Sequence, residues 1–244
     1  MTRALLALAL LAGCDGTQPQ DSSAPDPGAL APILAVSRPE PLMDLVLDTH
    51  EAIGAEEDCP SVVVVDDGLE RWTGGCRLSD GTQVEGELSR YDGPEGVWVS
   101  ADGFGLREDG ELTLYLDGAV ELVGEGDQMT LDVAASLCGV GLSCGAGVAT
   151  ADLSFNLYPL TTWPTNYDAS VTGVVAVGGA APTAVDGTWS VDVNQCASEP
   201  VDGIFTLARG ERHALTLDGQ SDCDGCATWN VQGLQVGEYC GIDL

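Results

Sequence analysis

Met129-Thr130-Leu131-Asp132-Val133-Ala134-Ala135-Ser136-Leu137 decides the fold class of this chain. Met129, Leu131, Val133, Ala135 and Leu137 fall on one side of an extended backbone, and Thr130, Asp132, Ala134 and Ser136 on the other. A period of two marks a β-strand with one buried face. The same alternation sets Leu112, Leu114 and Leu116 against Glu111, Thr113, Tyr115 and Asp117. It recurs in Ala149, Ala151, Leu153, Phe155 and Leu157. One-sided burial belongs to antiparallel sheets, because parallel strands are covered on both faces and lose the alternation.

Between these runs stand Asp-Gly pairs, from Asp67-Gly68 through Asp80-Gly81, Asp102-Gly103, Asp109-Gly110, Asp117-Gly118 and Asp186-Gly187 to Asp218-Gly219. Asp-Gly favours the tight hairpin turn, whose central residues need positive φ. With such pairs at short spacing, the sequence predicts an all-β chain, an antiparallel meander of about a dozen strands. A curled sheet, a sandwich or an incomplete barrel would each satisfy it, as one domain over residues 41–244. One short N-terminal helix opens that domain. It begins at Pro41 and places Leu42, Leu45, Val46, Thr49 and Ile53 on one face, with Gly54 as its stop. An outer-membrane barrel is not expected, since acidic side chains occupy the face that lipid would need.

The N-terminus reads differently. Arg3 is followed by an unbroken apolar run, Ala4 to Ala12. As a helix it spans only about 14 Å, too short to remain as a membrane anchor. The pattern is that of a signal peptide over residues 1–13. The run ends in Leu11-Ala12-Gly13-Cys14, which resembles the lipobox of bacterial lipoproteins. The resemblance implies cleavage before Cys14, acylation of that cysteine, and a cell-envelope location on a bacterial membrane, at the outer membrane or the periplasmic face. Residues 14–40 are rich in Pro, Ser, Gln and Ala and read as a lipidated, disordered tether of roughly 25–30 Å.

Charge narrows the partners. The chain has 39 acidic residues, eight arginines and no lysine, for a formal net charge of −31. Such a field repels nucleic acid and anionic headgroups. It leaves the lipid-anchored membrane, a cationic ligand or a protein surface as partners. A coding bias or a salty habitat would produce the same acidity with no partner at all.

Setting Cys14 aside leaves Cys59, Cys76, Cys138, Cys144, Cys196, Cys223, Cys226 and Cys240. An even set in an exported chain implies disulfides. A two-residue turn at Asp67-Gly68 sets Cys59 opposite Cys76. Pairing across Gly141 sets Cys138 opposite Cys144, Leu131 opposite Ala151 and Met129 opposite Leu153. For the last four, Cys196–Cys223 with Cys226–Cys240 is preferred, and a local Cys223–Cys226 bridge stays open.

No catalytic constellation stands out. Gly141-Leu142-Ser143-Cys144-Gly145 matches the nucleophile-elbow pattern, but that elbow needs a strand before it and a helix after it, and here a second strand follows. Cys223-Asp224-Gly225-Cys226 has redox or zinc spacing, yet its flanking aspartates disfavour a thiolate. His50 and His213 have no ligand-spaced partners. Calcium is the one ligand suggested, through Asp218, Asp222 and Asp224 in Asp218-Gly219-Gln220-Ser221-Asp222-Cys223-Asp224-Gly225. Gln220 and Val231 stand where an EF-hand would place its first and last ligands, so the loop is no EF-hand. The expected function is therefore a non-enzymatic, membrane-anchored binding or structural module. A calcium-stabilised adhesion or recognition domain and a carrier of a lipid or hydrophobic ligand are the alternatives.

Overall fold

The computed structural model describes residues 27–56, 58–66, 68–94, 96–125, 127–159, 165–197 and 199–240. The expected signal peptide, Cys14 and the first part of the tether lie outside them. From Pro27 the chain makes one 3₁₀ turn and then three short helices, α1 (Ala31–Val36), α2 (Pro39–Leu47) and α3 (Thr49–Ala52). Pro39 opens α2, where a missing N–H costs nothing, and Gly54, at φ 61°, ends the helical stretch. The expected apolar face is present: Leu42, Leu45, Val46, Thr49 and Ile53 are all buried.

The boundary of the tether needs correction. Leu30, Ile33 and Val36 are buried in the same core as the sheet, so the folded unit begins before residue 41. The Pro-, Ser- and Ala-rich composition around them masked a short apolar stripe with helical spacing. Among the described residues, no helix is long and apolar enough to cross a membrane.

The strands are β1 (Ser61–Asp66), β2 (Leu69–Thr73), β3 (Cys76–Arg77), β4 (Gln83–Gly93), β5 (Gly96–Glu108), β6 (Glu111–Glu125) and β7 (Gln128–Cys138). Then come β8 (Ala149–Pro159), β9 (Asn166–Val177), β10 (Thr183–Asp192), β11 (Asp202–Arg209), β12 (Glu211–Leu217), β13 (Cys226–Val231) and β14 (Leu234–Cys240). They form one antiparallel sheet in sequence order, with β3 alone beside the path, paired to β4. The meander is thus as the alternation foretold, open at β1 and β14.

The sheet curls around the helical stretch. His50 lies 4.2 Å from Trp72 of β2, and Arg90 of β4 donates to the Leu47 carbonyl. Tyr167 of β9 donates its hydroxyl to Glu40, and Leu30 and Ile33 share a cleft with Leu207 of β11 and His213 of β12. One short segment can meet strands from β2 to β12 only if the sheet bends around it. Burial, together with the Glu40 charge, pushes the Tyr167 hydroxyl far above its ordinary pKa, so it serves as a permanent donor.

Asp-Gly proves to be more than a turn signal. Asp109 (φ 50°) and Gly110 (φ 86°) do make the tight turn between β5 and β6. Asp117-Gly118 and Asp186-Gly187 instead lie inside β6 and β10. A Cβ at Gly118 would meet the Ala134 carbonyl oxygen at 2.3 Å, so glycine there admits a close neighbouring strand. Asp102-Gly103 sits in β5, where the register to β4 and β6 shifts. Bulges of this kind bend and twist a strand, which is how the sheet comes to curl.

Two predicted registers also shift. The β1–β2 pairing slips between Val64 and Asp66, and the β7–β8 pairing sets Leu131 opposite Phe155 and Met129 opposite Leu157. The second shift is an even number of residues, so inward side chains still meet inward side chains. Both disulfides survive: Cys59–Cys76 and Cys138–Cys144 are formed, the latter within the β7–β8 connection.

Candidate functional site

The suspected acidic loop joins β12 to β13, and two disulfides place it. Cys223 pairs with Cys196 in the β10–β11 connection, and Cys226 pairs with Cys240 at the end of β14. The open question of a Cys223–Cys226 bridge is thereby closed, and the redox or zinc spacing has no free thiol behind it. Locally the loop is built by backbone turns: the N–H groups of Ser221 and Asp222 both donate to the Asp218 carbonyl. Asp224 Oδ1 accepts the N–H of Cys226 at 2.9 Å, which starts β13.

Asp218, Asp222 and Asp224 line a pit of about 30 Å³ together with Thr228 and Glu238. That is the space of a single ordered water or small ion. Glu238 comes from β14, opposite Thr228. Beside the loop lies Glu199, the one carboxylate among the described residues that is wholly buried. Its Oε1 accepts the Asp224 N–H at 3.2 Å, while its Oε2 is enclosed without a hydrogen-bond partner. Burial raises the Glu199 pKa; the Asp224 N–H opposes the rise, and the nearby Asp218 and Asp224 charges add to it. Gly219 permits this packing, since a Cβ there would meet Glu199 Cγ at 2.8 Å and the Pro200 carbonyl at 2.7 Å.

The structure therefore gathers Asp218, Asp222 and Asp224 at one pit, adds Glu238 to its lining and sets Glu199 beside the loop, two carboxylates that sequence reasoning missed. Both had a signal in the cysteines. Pairing Cys226 with Cys240 puts Glu238 on the same side as Thr228, and pairing Cys196 with Cys223 brings Glu199 to Asp224. Among the described residues, no three acidic, histidine or cysteine side chains already stand as a metal-ligand set. The pit offers hard oxygen ligands on a short loop that an ion would have to draw together.

No family model, curated protein or solved structure matches the chain. Its function has to be read from its own residues.

The other singled-out residues lie elsewhere in the fold. Ser143 Oγ accepts the N–H of Gly145 at 3.3 Å and caps a 3₁₀ turn, with Cys144 beside it committed to a disulfide. The elbow pattern thus falls in a strand-to-strand connection and not between a strand and an α-helix. His50 contacts Glu70 at 3.5 Å and the Trp72 ring. His213 lies 5.9 Å from Trp229 with its Nδ1 enclosed, and burial lowers its pKa.

Proposed function

We propose that this chain is a lipid-anchored bacterial envelope protein that displays a non-enzymatic binding or structural domain. The observation that carries the reading is the cysteine balance. All eight cysteines after Cys14 pair with one another, in four disulfides that fit an oxidising compartment. Cys14 is the one left over, and Leu11-Ala12-Gly13-Cys14 is the setting in which bacterial lipoproteins are acylated. Two or more acyl chains on one residue hold a protein stably at a membrane, whereas one chain does not. Cys14→Ser is expected to move the protein from the membrane fraction to the soluble fraction. A variant that stays with the membrane would overturn the anchor.

The acidic pit supports a second reading, a calcium-stabilised recognition domain. In it, Asp218, Asp222 and Asp224 supply oxygen ligands and the 196–223 and 226–240 disulfides hold the loop ends. Thermal unfolding of the mature chain in EDTA, then with calcium or magnesium at fixed ionic strength, tests it. A saturating, calcium-specific rise of several degrees is expected by linkage. Equal and weak responses to both ions would reduce the effect to charge screening and remove the site. The carrier reading gains no such support, because α2 buries Leu42, Leu45 and Val46 in the apolar core around which the sheet curls.

A further inference from the structure

On the outer face of the sheet, cross-strand pairing lines up one row over four strands. Tyr158 of β8 lies opposite Asp168 of β9, Asp168 opposite Ser190 of β10, and Ser190 opposite Asp202 of β11. A second row runs beside it, with Ser170 opposite Thr188. Neighbouring members of a row stand about 5 Å apart, the spacing of paired strands. These residues line a shallow groove of about 370 Å³. Gly203 contributes to its lining at φ 145°, where a Cβ would meet the Thr188 carbonyl oxygen at 2.4 Å; no side chain fits there.

The hydrogen bonds in the groove fix what it can accept. Ser190 donates its hydroxyl proton to Asp168 Oδ1 at 2.6 Å, which leaves the serine oxygen with lone pairs only. Asp202 Oδ1 accepts the N–H of Gly203 at 2.8 Å and keeps its other oxygen open. An ionised carboxylate only accepts. The groove is thus rich in acceptors and carries no cationic side chain among its lining residues. Such a surface favours a ligand that brings donors and no negative charge. At one end stands Tyr158, 43% exposed, the most exposed Phe, Trp or Tyr among the described residues. An aromatic ring offers an apolar face with a polar tip, and aromatic rings are anchors at binding surfaces.

We infer that this groove binds a neutral saccharide, with Tyr158 stacking against the C–H face of one sugar ring. Asp168 and Asp202 accept hydrogen bonds from sugar hydroxyls, and Ser170, Thr188 and Ser190 line the path between them. Sugars combine an apolar ring face with many donors, which is the complement of this surface. Phosphorylated, sulfated and carboxylated polymers are excluded by charge. The inference rests on the reading of the chain as a binding module and names its ligand class.

Isothermal titration of the full-length protein with cellohexaose, chitohexaose and maltohexaose tests it. At least one of the three is expected to bind. Tyr158→Ala and Asp168→Asn should each weaken that binding about tenfold or more, which corresponds to about 1.4 kcal/mol. Asp132→Asn, on the same outer face but outside the groove, should bind as the unaltered chain does. Tyr158 and Asp132 are exposed and Asp168 is half-buried, and unchanged unfolding midpoints show that the variants fold. Binding that survives Tyr158→Ala at full strength would overturn the proposal. So would failure of all three sugars to bind, and if the chain still fractionates with the membrane in a Cys14-dependent way, that failure belongs to the groove alone. A hexamer of glucosamine bound in place of the neutral sugars, lost in Asp168→Asn but not in Tyr158→Ala, would overturn it in favour of a cation contact.

Discussion

Val46→Asp is expected to unfold the protein, while Leu47→Asp, one residue further along α2, is expected to leave its stability within about 0.5 kcal/mol. Val46 is 0% exposed and Leu47 is 46% exposed. The first change buries a carboxylate with no partner at the centre of the curled sheet, a cost of several kcal/mol against a net stability of only about 5–15 kcal/mol. The second adds one more acid to a surface that already carries many. Circular dichroism and urea unfolding of the two variants make the comparison. Equal stabilities would mean that the helical stretch is an appendage to the sheet and not the core around which the sheet bends.

Removing the long-range disulfide should have the next largest effect. Cys196 and Cys223 are 27 residues apart, whereas Cys138 and Cys144 are separated by 6. Loop-closure entropy then puts the loss at about 3.5 kcal/mol for a Cys196→Ala, Cys223→Ala pair and about 2 kcal/mol for Cys138→Ala, Cys144→Ala. Urea midpoints of the two double variants should fall in that order. The longer bridge also ties two irregular connections together and holds Glu199 against Asp224. The reverse order would show that local packing around Cys138, which is fully buried, matters more than chain entropy.

Much of the fold could be read directly. The alternation in Met129–Leu137 and Ala149–Tyr158 returned the strands, their inward faces and the antiparallel meander, because a one-sided sheet writes its burial into every second residue. Hairpin reasoning found both N-terminal disulfides although its registers were off. The β1 bulge and the β7–β8 connection, which is no two-residue turn, shifted the pairing, yet the cysteines remained within reach. The helical face from Leu42 to Ile53 was legible for the same reason as the strands, a period matched to its backbone. Leu30, Ile33 and Val36 were not, because so short an apolar stripe falls below the length at which a period can be recognised among prolines and serines.

The candidate sites divide in the same way. Asp218, Asp222 and Asp224 announce themselves as neighbours in sequence, but Glu199 and Glu238 join them only through the disulfides and the β13–β14 pairing. No local pattern links Tyr158, Asp168, Ser190 and Asp202; they share a row because three successive strand registers happen to align them. By itself, the sequence determined the strand period, the order of the meander, the apolar helical face and the pairing of the cysteines it could place in hairpins, since each is set by contacts between residues near in the chain. Tertiary structure alone decided the curl of the sheet around α1 to α3, the start of the folded unit before residue 41, and the residues that meet at the pit and the groove. Those depend on bulges, mid-strand glycines and exact registers, where a shift of one residue turns every side chain to the opposite face.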